Sequence, residues 1–460
     1  MWATILLIGS HIAFWWLRDL GGQPIWTVAV WAVAFSAFAV AFLRFESKIT
    51  IGLYLAVAAV LRICLLPLPS TLSDDTLRYV WDGKLVRAGV NPYLFAPEDE
   101  ALSELRDSRW EIMPHKEVQT VYPPLALGLF ALGGLWQDPV LGIKILLAFC
   151  DWMGCAWLFL LARHLTIPPG RALGYAWNPL VTMEVAGQGH VDGLMVALMI
   201  GTVLLLSQKR PWGAGFAAAA GAAAKLVPLV ALLPWSRSDE PASSGSSSMP
   251  PGVDASPYWR RALTFLIAAG AGTLLFFGPI AWSTGVPPGL VTYGVSWEFN
   301  GAIFEPLWRS IDKMQITDEI KGGLDHMRLA TASFTNDESW YRFYHFVYPQ
   351  FLAKLLLAAG FGLYWLWICR RRDDATLISG RVFGAVLLCS ATLYPWYILW
   401  VLPWAALAKH RAWLSLSALS ILAYLPQHLD HVSLFPWIWA AIWLPFFGLL
   451  LFSPGWTWKR

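Results

Sequence analysis

Charged residues are scarce in this chain of 460 amino acids, of which Asp, Glu, Lys and Arg make up only 14%. A soluble domain carries nearer a quarter of such residues, so the composition excludes an ordinary soluble protein. The net charge is only +3. It provides no basic surface of the kind that binds nucleic acid, and we expect no nucleic-acid partner.

Cysteine is also rare. The five cysteines form no Cys-x-x-Cys pair and no His/Cys spacing typical of zinc, so we interpret them as small apolar residues in or beside membrane spans. No internal repeat is visible. The first residues, Met1 to Leu17, have no basic leading segment and no small-residue cleavage site, and we interpret them as a retained first span.

Apolar residues are abundant, at 57% of the chain. They form runs of roughly 17 to 25 residues, long enough to cross hydrocarbon, and backbone in lipid must bond within its own helix. We therefore predict an all-α polytopic membrane protein with about 11 to 13 transmembrane helices. The predicted spans are 1–17, 25–43, 50–67, 121–136, 139–161, 172–186, 191–206, 212–235, 262–282, 346–369, 380–392, 396–408, 412–426 and 434–452.

Lysine and arginine in the short loops indicate orientation, because such loops are cytoplasmic. Placing these loops inside puts segment 68–120 outside and requires 212–235 to be a hairpin of two half-helices. The predicted units are N-terminal spans (1–67), a first external loop with short amphipathic helices (68–120), spans with an external polar hairpin (121–235), a disordered cytoplasmic Ser/Pro/Gly linker (236–258), one span (259–282), a second external loop (283–345) and C-terminal spans (346–460).

The first external loop holds ten of the 30 acidic residues. Its stretch "SDDTLRYVWDGKLVRAG" predicts a helix with Ser73 as N-cap and with Asp74 and Asp75 in the first turn. Two interpretations remain open. Aspartates in a first turn complement the helix dipole, and the same dipole keeps a carboxylate ionised, as a general base requires.

One face of this helix brings polar side chains together. Asp75, Tyr79 and Asp82 follow each other at spacings of four and three residues, which places them on one side. The same spacing predicts an ion pair between Asp74 and Arg78. We regard this face as a candidate site.

The stretch "WNPLVTMEVAGQGHVDGLM" interrupts apolar sequence with Glu184, His190 and Asp192. Ionisable residues within spans are costly and indicate function by default, although a hairpin tip wetted by bulk water is the alternative. One histidine with two acids is not a specific metal signature. Lys225, in "AAAKLVPL", either extends its ammonium to the interface or meets an anion.

Several stretches with mixed aromatic and polar residues are predicted to lie outside: "MPHKEVQTVYPPLA", "YGVSWEFNGAIFEPLW", "LYPWYILW" and "LPQHLDH". Each alone is typical of an interfacial belt. Together they suit a carbohydrate, whose faces stack on rings. Their candidates are Tyr122, Glu298, Asn300, Tyr394, Trp396 and His428.

These motifs, in this order, resemble the GT-C superfamily of membrane glycosyltransferases. The most similar group is the polyprenyl-phosphate-mannose-dependent mannosyltransferases with their GPI-mannosyltransferase-like relatives, and the resemblance covers most of 50–410. The most specific string is Ser-Asp-Asp…Arg-Tyr…Trp-Asp-Gly…Asn-Pro-Tyr. A later motif departs from the group, since Gly187–Asp192 replaces the usual Asn-Gly-His-Asn-Asp and leaves the contacts there in question.

The resemblance implies an inverting transfer of a sugar, with mannose expected, from a polyprenyl-phosphate donor to a glycolipid or glycan. It implies a GT-C bundle in the inner or plasma membrane with an extracytoplasmic site in the first external loop. No cofactor is required, and a divalent metal is left open but not favoured. The candidate catalytic residues are Asp75, which we favour as base, and Asp74; the candidate substrate contacts are Arg78, Tyr79, Asp82, Tyr122, Glu184, His190, Asp192, Lys225, Glu298, Asn300, Tyr394, Trp396 and His428.

The residues fit this chemistry without the resemblance. A sugar phosphodiester has a good leaving group, so one carboxylate must take the acceptor proton while cations hold the departing phosphate. Lys225 and Arg78 are candidates for that. The alternative function is a transporter or flippase, which would place its ionisable groups near the bilayer midplane and usually shows repeats.

Overall fold

The computed structural model describes residues 2–238, 258–285, 287–331, 344, 346–428, 435–452 and 456. Within these ranges the chain is helical and has no strand, only isolated bridges from Phe299 and Asn300 to Thr392. The predicted all-α class is confirmed.

The α-helices are α1 (Trp2–Leu17), α2 (Pro24–Phe45), α3 (Ile51–Leu65), α4 (Asp75–Arg87), α5 (Ser108–Ile112), α6 (Pro124–Gly133), α7 (Pro139–His164), α8 (Leu173–Ala176), α9 (Pro179–Thr182), α10 (Asp192–Ser207), α11 (Pro211–Ala224), α12 (Leu232–Ser236), α13 (Tyr258–Thr284), α14 (Pro288–Ser296), α15 (Phe304–Lys313), α16 (Ile316–Thr331), α17 (Pro349–Arg370), α18 (Ala375–Cys389), α19 (Leu402–Ala408), α20 (Arg411–Leu419), α21 (Leu425–His428) and α22 (Phe435–Phe452). Short 3-10 turns cover Glu100–Leu105, Pro169–Ala172, Val227–Ala231, Pro395–Trp400 and Ser420–Tyr424, and Met183–Gly187 is a π-turn.

Among the described residues, five helices are long and apolar enough to cross a membrane: α2, α7, α13, α17 and α22. Six shorter apolar helices of 10 to 17 residues accompany them. The chain is therefore a multi-pass membrane protein. The predicted number of crossings stays a prediction, because the shorter helices do not span hydrocarbon by length alone.

Helix α7 defines the two ends of the bundle. Near its start, the Lys144 ammonium donates to the carbonyl of Leu68, the first residue of segment 68–120, at 2.5 Å. At its other end, His164 Nε2 bonds the Ser207 carbonyl at 2.9 Å. The helix has 26 residues and is about 39 Å long, so these contacts lie at opposite ends of the molecule.

A broken segment of short helices, 169–187, crosses the centre of the bundle and is almost wholly buried. A buried ion pair holds it: Arg62 Nε lies 2.8 Å from Asp151 Oδ2, and Arg62 also donates to the Ala176 carbonyl at 3.0 Å. The Tyr175 hydroxyl donates to Asp151 at 2.6 Å. Charges inside a span are costly unless paired, and here the pair satisfies backbone that the break exposes.

The predicted hairpin in 212–235 is confirmed. Helix α11 ends at Ala224, the chain breaks at Lys225, and two short turns return. Pro211 and Ser236 line one small cavity, so the segment begins and ends at the same end of the bundle. Lys225 therefore lies at the hairpin tip. Of the predicted linker 236–258, residues 239–257 lie outside the described ranges.

Segment 68–120, predicted to be the first external loop, contains three short helical elements: α4, the turn Glu100–Leu105 and α5. Helix α4 packs on α6 at a point where Gly83 leaves no space for a side chain. A Cβ there would lie 2.6 Å from the backbone of Phe130. One turn earlier, Tyr79 stacks on the Phe130 ring, with centroids 4.2 Å apart. This contact fixes the position of α4 on the bundle.

Candidate active site

A cavity of about 1010 Å³ opens where the first external loop meets the bundle. Asp74, Asp75 and Arg78 of α4 form one wall, and Lys225 of the hairpin tip contributes to another. Aromatic side chains form much of the rest: Tyr122, Tyr293, Trp297, Tyr394, Trp396, Tyr397, Trp400 and Tyr424. The cavity thus combines carboxylates, cations and rings.

Asp75 is the first residue of α4. The predicted helix start is one residue too early: Asp74 occupies the N-cap without a side-chain bond, while the Asp75 amide donates to Ser73 Oγ at 3.3 Å. The Asp75 carboxylate is 36% exposed, towards the cavity. Its Oδ2 accepts from the Tyr79 hydroxyl at 3.3 Å. The tyrosine thus holds one carboxylate oxygen in place.

The pKa of Asp75 is raised by burial, although the imidazole of His190 and the ammonium of Lys225 act in the opposite direction. A carboxylate with a raised pKa is a stronger base than a solvated carboxylate, but it can accept a proton only while it is ionised. The geometry makes Asp75 the better placed base of the two, because Asp74 is exposed.

Arg78 does not pair with Asp74, contrary to the prediction. Its Nε donates to Asp82 Oδ1 at 2.9 Å, and Asp82 also accepts from Thr120 Oγ1 at 2.6 Å. Asp82 is wholly buried and lies outside the cavity lining. Asp82 therefore orients Arg78, and its predicted role as a substrate contact stays a prediction that the cavity lining does not support.

The three cations of the cavity wall share this arrangement. Each contacts the cavity and is paired with an acid that does not line it. The pairs are Arg78 with Asp82 at 2.9 Å, Lys225 with Asp192 at 2.8 Å and Lys354 with Glu298 at 2.8 Å. Only the positively charged member of each pair therefore lines the cavity. Such a surface suits an anionic group.

Asp192 and Glu298 were predicted as substrate contacts; neither lines the cavity, and Glu298 is exposed. Asp192 is buried and accepts from Trp400 Nε1 at 2.6 Å as well as from Lys225. Lys225 therefore has a protein anion beside it, and its ammonium also lies 4.4 Å from the ring centre of Tyr397.

His190 and Glu184 do not line the cavity either. Both are wholly buried, which excludes the alternative of a hairpin tip wetted by bulk water. The His190 ring stacks on Trp396 with centroids 3.9 Å apart, and its Nδ1 lies 3.0 Å from Glu184 Oε2. Tyr424 donates to Glu184 at 3.0 Å. Glu184 belongs to the π-turn 183–187, and π-turns often occur at functional sites.

The other predicted contacts divide into three groups. Tyr122, Tyr394 and Trp396 line the cavity, as expected, while Tyr79 supports Asp75 from the side. Asn300 is buried and accepts from Trp443 Nε1 at 3.2 Å; it does not line the cavity, and its substrate role stays a prediction. The side chain of His428 lies outside the described part of the structure.

Some lining residues were missed. Lys354 lies in an apolar span, where an isolated lysine is itself an indication of function. Tyr397 and Trp400 belong to "LYPWYILW", but their contribution depends on the 3-10 turn 395–400, which orients consecutive rings differently from an α-helix. Tyr293 bonds the Tyr397 hydroxyl, a contact between distant segments that no local pattern predicts.

Within the described residues, no group of three or more His, Cys, Asp and Glu side chains could hold a metal ion. The preference for a metal-independent reaction stays a prediction. All carboxylates near the cavity other than Asp74 and Asp75 are engaged with cations or hydroxyls of the protein.

Comparison with known families gives one match. Residues 5–235, half of the chain, match the model of the MptA_B family, described as Alpha-(1->6)-mannopyranosyltransferase, N-terminal domain. No curated protein and no solved structure matches the chain. The matched residues include Asp75, Lys225 at the tip of the hairpin, and the broken segment 169–187. The chain is a glycosyltransferase of the GT-C type and belongs to the MptA_B family of mannosyltransferases.

Proposed function

We propose that the protein moves a mannosyl group from a polyprenyl-phosphate-linked donor to a hydroxyl of a glycolipid or glycan, with inversion, at the extracytoplasmic face of the inner or plasma membrane. The observation that carries the proposal is the cavity itself. It is lined by Asp75 and by three cations whose acidic partners do not line it. A neutral sugar next to a phosphate needs that combination.

The wall composition supports a lipid-linked donor over a soluble one. Leu226, Val227, Leu290 and Val386 line the cavity together with the cations. An apolar approach beside positive charge suits a phosphate attached to a hydrocarbon chain, since the chain stays in the bilayer while its head enters the cavity. Tyr394 and Trp396 also line the cavity, although they stack on each other and on Phe299 and His190.

Proton and charge movements follow from this arrangement. The acceptor oxygen attacks the anomeric carbon as the bond from that carbon to the phosphate oxygen breaks. The proton of the acceptor hydroxyl passes to Asp75, and the phosphate leaves with the bonding electrons. Arg78, Lys225 and Lys354 stabilise the charge on the phosphate. No general acid is needed, because a phosphate is a good leaving group.

The test is transfer of labelled mannose from polyprenyl-phosphate-mannose to endogenous acceptors in membranes that contain wild type, Asp75→Asn or Asp74→Asn at matched abundance. Asp75→Asn should lower the rate at least about 100-fold, since a general base contributes that much. Asp107→Asn is the matched control: it removes an acid of the same loop that pairs with Lys84 at 3.0 Å, away from the cavity lining, and should transfer normally.

Each outcome has a distinct meaning. If only Asp74→Asn loses transfer, the function stands and the base is Asp74. If both variants transfer like wild type, the carboxylates of the cavity do not act as bases and the mechanism is wrong. If wild type does not transfer from this donor but transfers from another lipid-linked sugar, the donor identity is wrong.

A further inference from the structure

Behind Asp75 lies a buried imidazole whose outer nitrogen has no hydrogen-bond partner. His190 Nε2 is enclosed and bonds to nothing in the described part of the chain, and it points at Asp75 Oδ2 over 3.9 Å. An unpaired buried polar atom destabilises a protein by about 1 to 3 kcal/mol. Such an atom beside a catalytic carboxylate therefore requires an explanation.

The other ring nitrogen determines the proton positions. His190 Nδ1 faces two acceptors of one residue, the Glu184 carbonyl at 3.2 Å and the Glu184 carboxylate at 3.0 Å. Nδ1 must therefore carry a hydrogen. Glu184 is itself held at both oxygens by the Tyr424 hydroxyl, at 3.0 and 3.1 Å. The ring cannot rotate easily, because it stacks on Trp396 at an angle of 16°.

With Nδ1 protonated, Nε2 and the Asp75 carboxylate are both acceptors unless a proton lies between them. We infer that His190 is an imidazolium backed by Glu184, and that its positive charge, 3.9 Å from Asp75 Oδ2, keeps Asp75 ionised for the transfer reaction. His190 is thus a positioning residue that acts through Asp75 and does not contact substrate. The inference rests on the proposed function for Asp75 as base.

The surroundings are compatible with this role. Glu184 supplies the negative charge that stabilises an imidazolium in the interior. The tyrosines of the site stay neutral over the working pH range. The charged groups near the pair are Glu184, Asp192 and Lys225, and the titratable tyrosines are Tyr79, Tyr122, Tyr293, Tyr394, Tyr397 and Tyr424. Lys225 favours the ionised Asp75 as well, but it is already paired with Asp192. Lys144, beside Gly189, bonds the Leu68 carbonyl.

The experiment is the pH profile of transfer for wild type, His190→Phe and Glu184→Gln. Phenylalanine retains a ring against Trp396 but cannot be charged; glutamine retains the hydrogen bonds of Glu184 but not its charge. Loss of a positive neighbour raises the pKa of a carboxylate, typically by about one to three units. The acid limb of kcat/KM should therefore move to higher pH by about one unit or more in His190→Phe, and less in Glu184→Gln, with KM for the donor unchanged.

His11→Gln is the matched control. His11 is equally buried and bonds Thr182 Oγ1 at 2.9 Å in the same broken segment, but it does not contact Asp75. It should lower the melting temperature without moving the acid limb. If His190→Phe and Glu184→Gln also leave the limb at its wild-type position, His190 is only a packing residue and the inference is wrong.

A second readout works without any donor. The infrared band of protonated carboxyl groups is titrated with pH in purified protein, and the contribution of Asp75 is identified by its loss in Asp75→Asn. Its midpoint should rise in His190→Phe. Failure of the donor assay with a displaced midpoint contradicts the proposed function alone, whereas an unmoved midpoint contradicts the role of His190.

Discussion

Lys225 and Asp192 illustrate how one side chain serves both stability and chemistry. The ammonium lies 2.8 and 3.0 Å from the two carboxylate oxygens, and the carboxylate is almost completely buried. Removing one partner of a buried pair leaves an uncompensated charge, whereas removing both often does not destabilise. The pair therefore allows the structural role of Lys225 to be separated from its role at the cavity.

We predict that Lys225→Met lowers the free energy of unfolding by about 3 kcal/mol and abolishes transfer. The double variant Lys225→Met/Asp192→Asn should regain most of the stability, since no charge is left unpaired, but should remain inactive because the phosphate loses a cation. Thermal unfolding in detergent and the mannose-transfer assay measure the two effects. Transfer at the wild-type rate by the double variant would show that Lys225 is only structural.

At this scale, local pattern was sufficient for some residues and not for others. Asp75 was predicted because its helix, its first-turn position and Tyr79 are all encoded within a few residues. His190 and Asp192 were predicted as substrate contacts, but their depth is set by distant segments: Trp396 covers one and Trp400 bonds the other. No periodicity within "GQGHVDGLM" contains that information.

Among the elements, α4 determines where Asp75 lies, and its position depends on how it meets α6. Gly83 allows the two backbones to approach closely, and Arg87 donates to the Ala131 carbonyl at 3.2 Å at the end of the same contact. A small residue at a helix crossing is a common device in membrane bundles. The sequence predicted α4 but not its docking, since a glycine inside a helix has no unique partner.

We predict that Gly83→Ala lowers stability by about 1 to 3 kcal/mol through overpacking and reduces transfer, because α4 must move together with Asp75. Gly128→Ala is the matched control. Gly128 is on α6 itself, and a Cβ there meets nothing within 4 Å, so alanine should be neutral or stabilise by roughly 0.5 to 1 kcal/mol. Melting temperatures and transfer rates check both. Equal behaviour of the two variants would contradict the tight docking of α4.

For the whole molecule, the distribution of charge matches the two ends that α7 defines. The loops predicted to be cytoplasmic meet at the end remote from the cavity: Lys409 pairs with Glu46 at 2.8 Å, and Arg171 donates to the Leu407 carbonyl at 3.1 Å. Helix α10 runs from the cavity, at Asp192, to this end, at Ser207. The basic loops and the acidic loop are thus separated by the length of the bundle. The sequence alone could not determine how the short apolar helices combine to cross the membrane.

This separation predicts the orientation in the membrane, because basic loops remain in the cytoplasm. Cysteine introduced at Glu104, exposed in the first external loop, should react in intact cells with a maleimide that cannot cross membranes. Cysteine at Lys48, exposed at the opposite end, should react only after the cells are opened. Wild type, with its five native cysteines, gives the background labelling. Labelling of position 48 but not of position 104 in intact cells would show the opposite orientation, with the cavity facing the cytoplasm. The donor would then have to present its sugar on the inner leaflet.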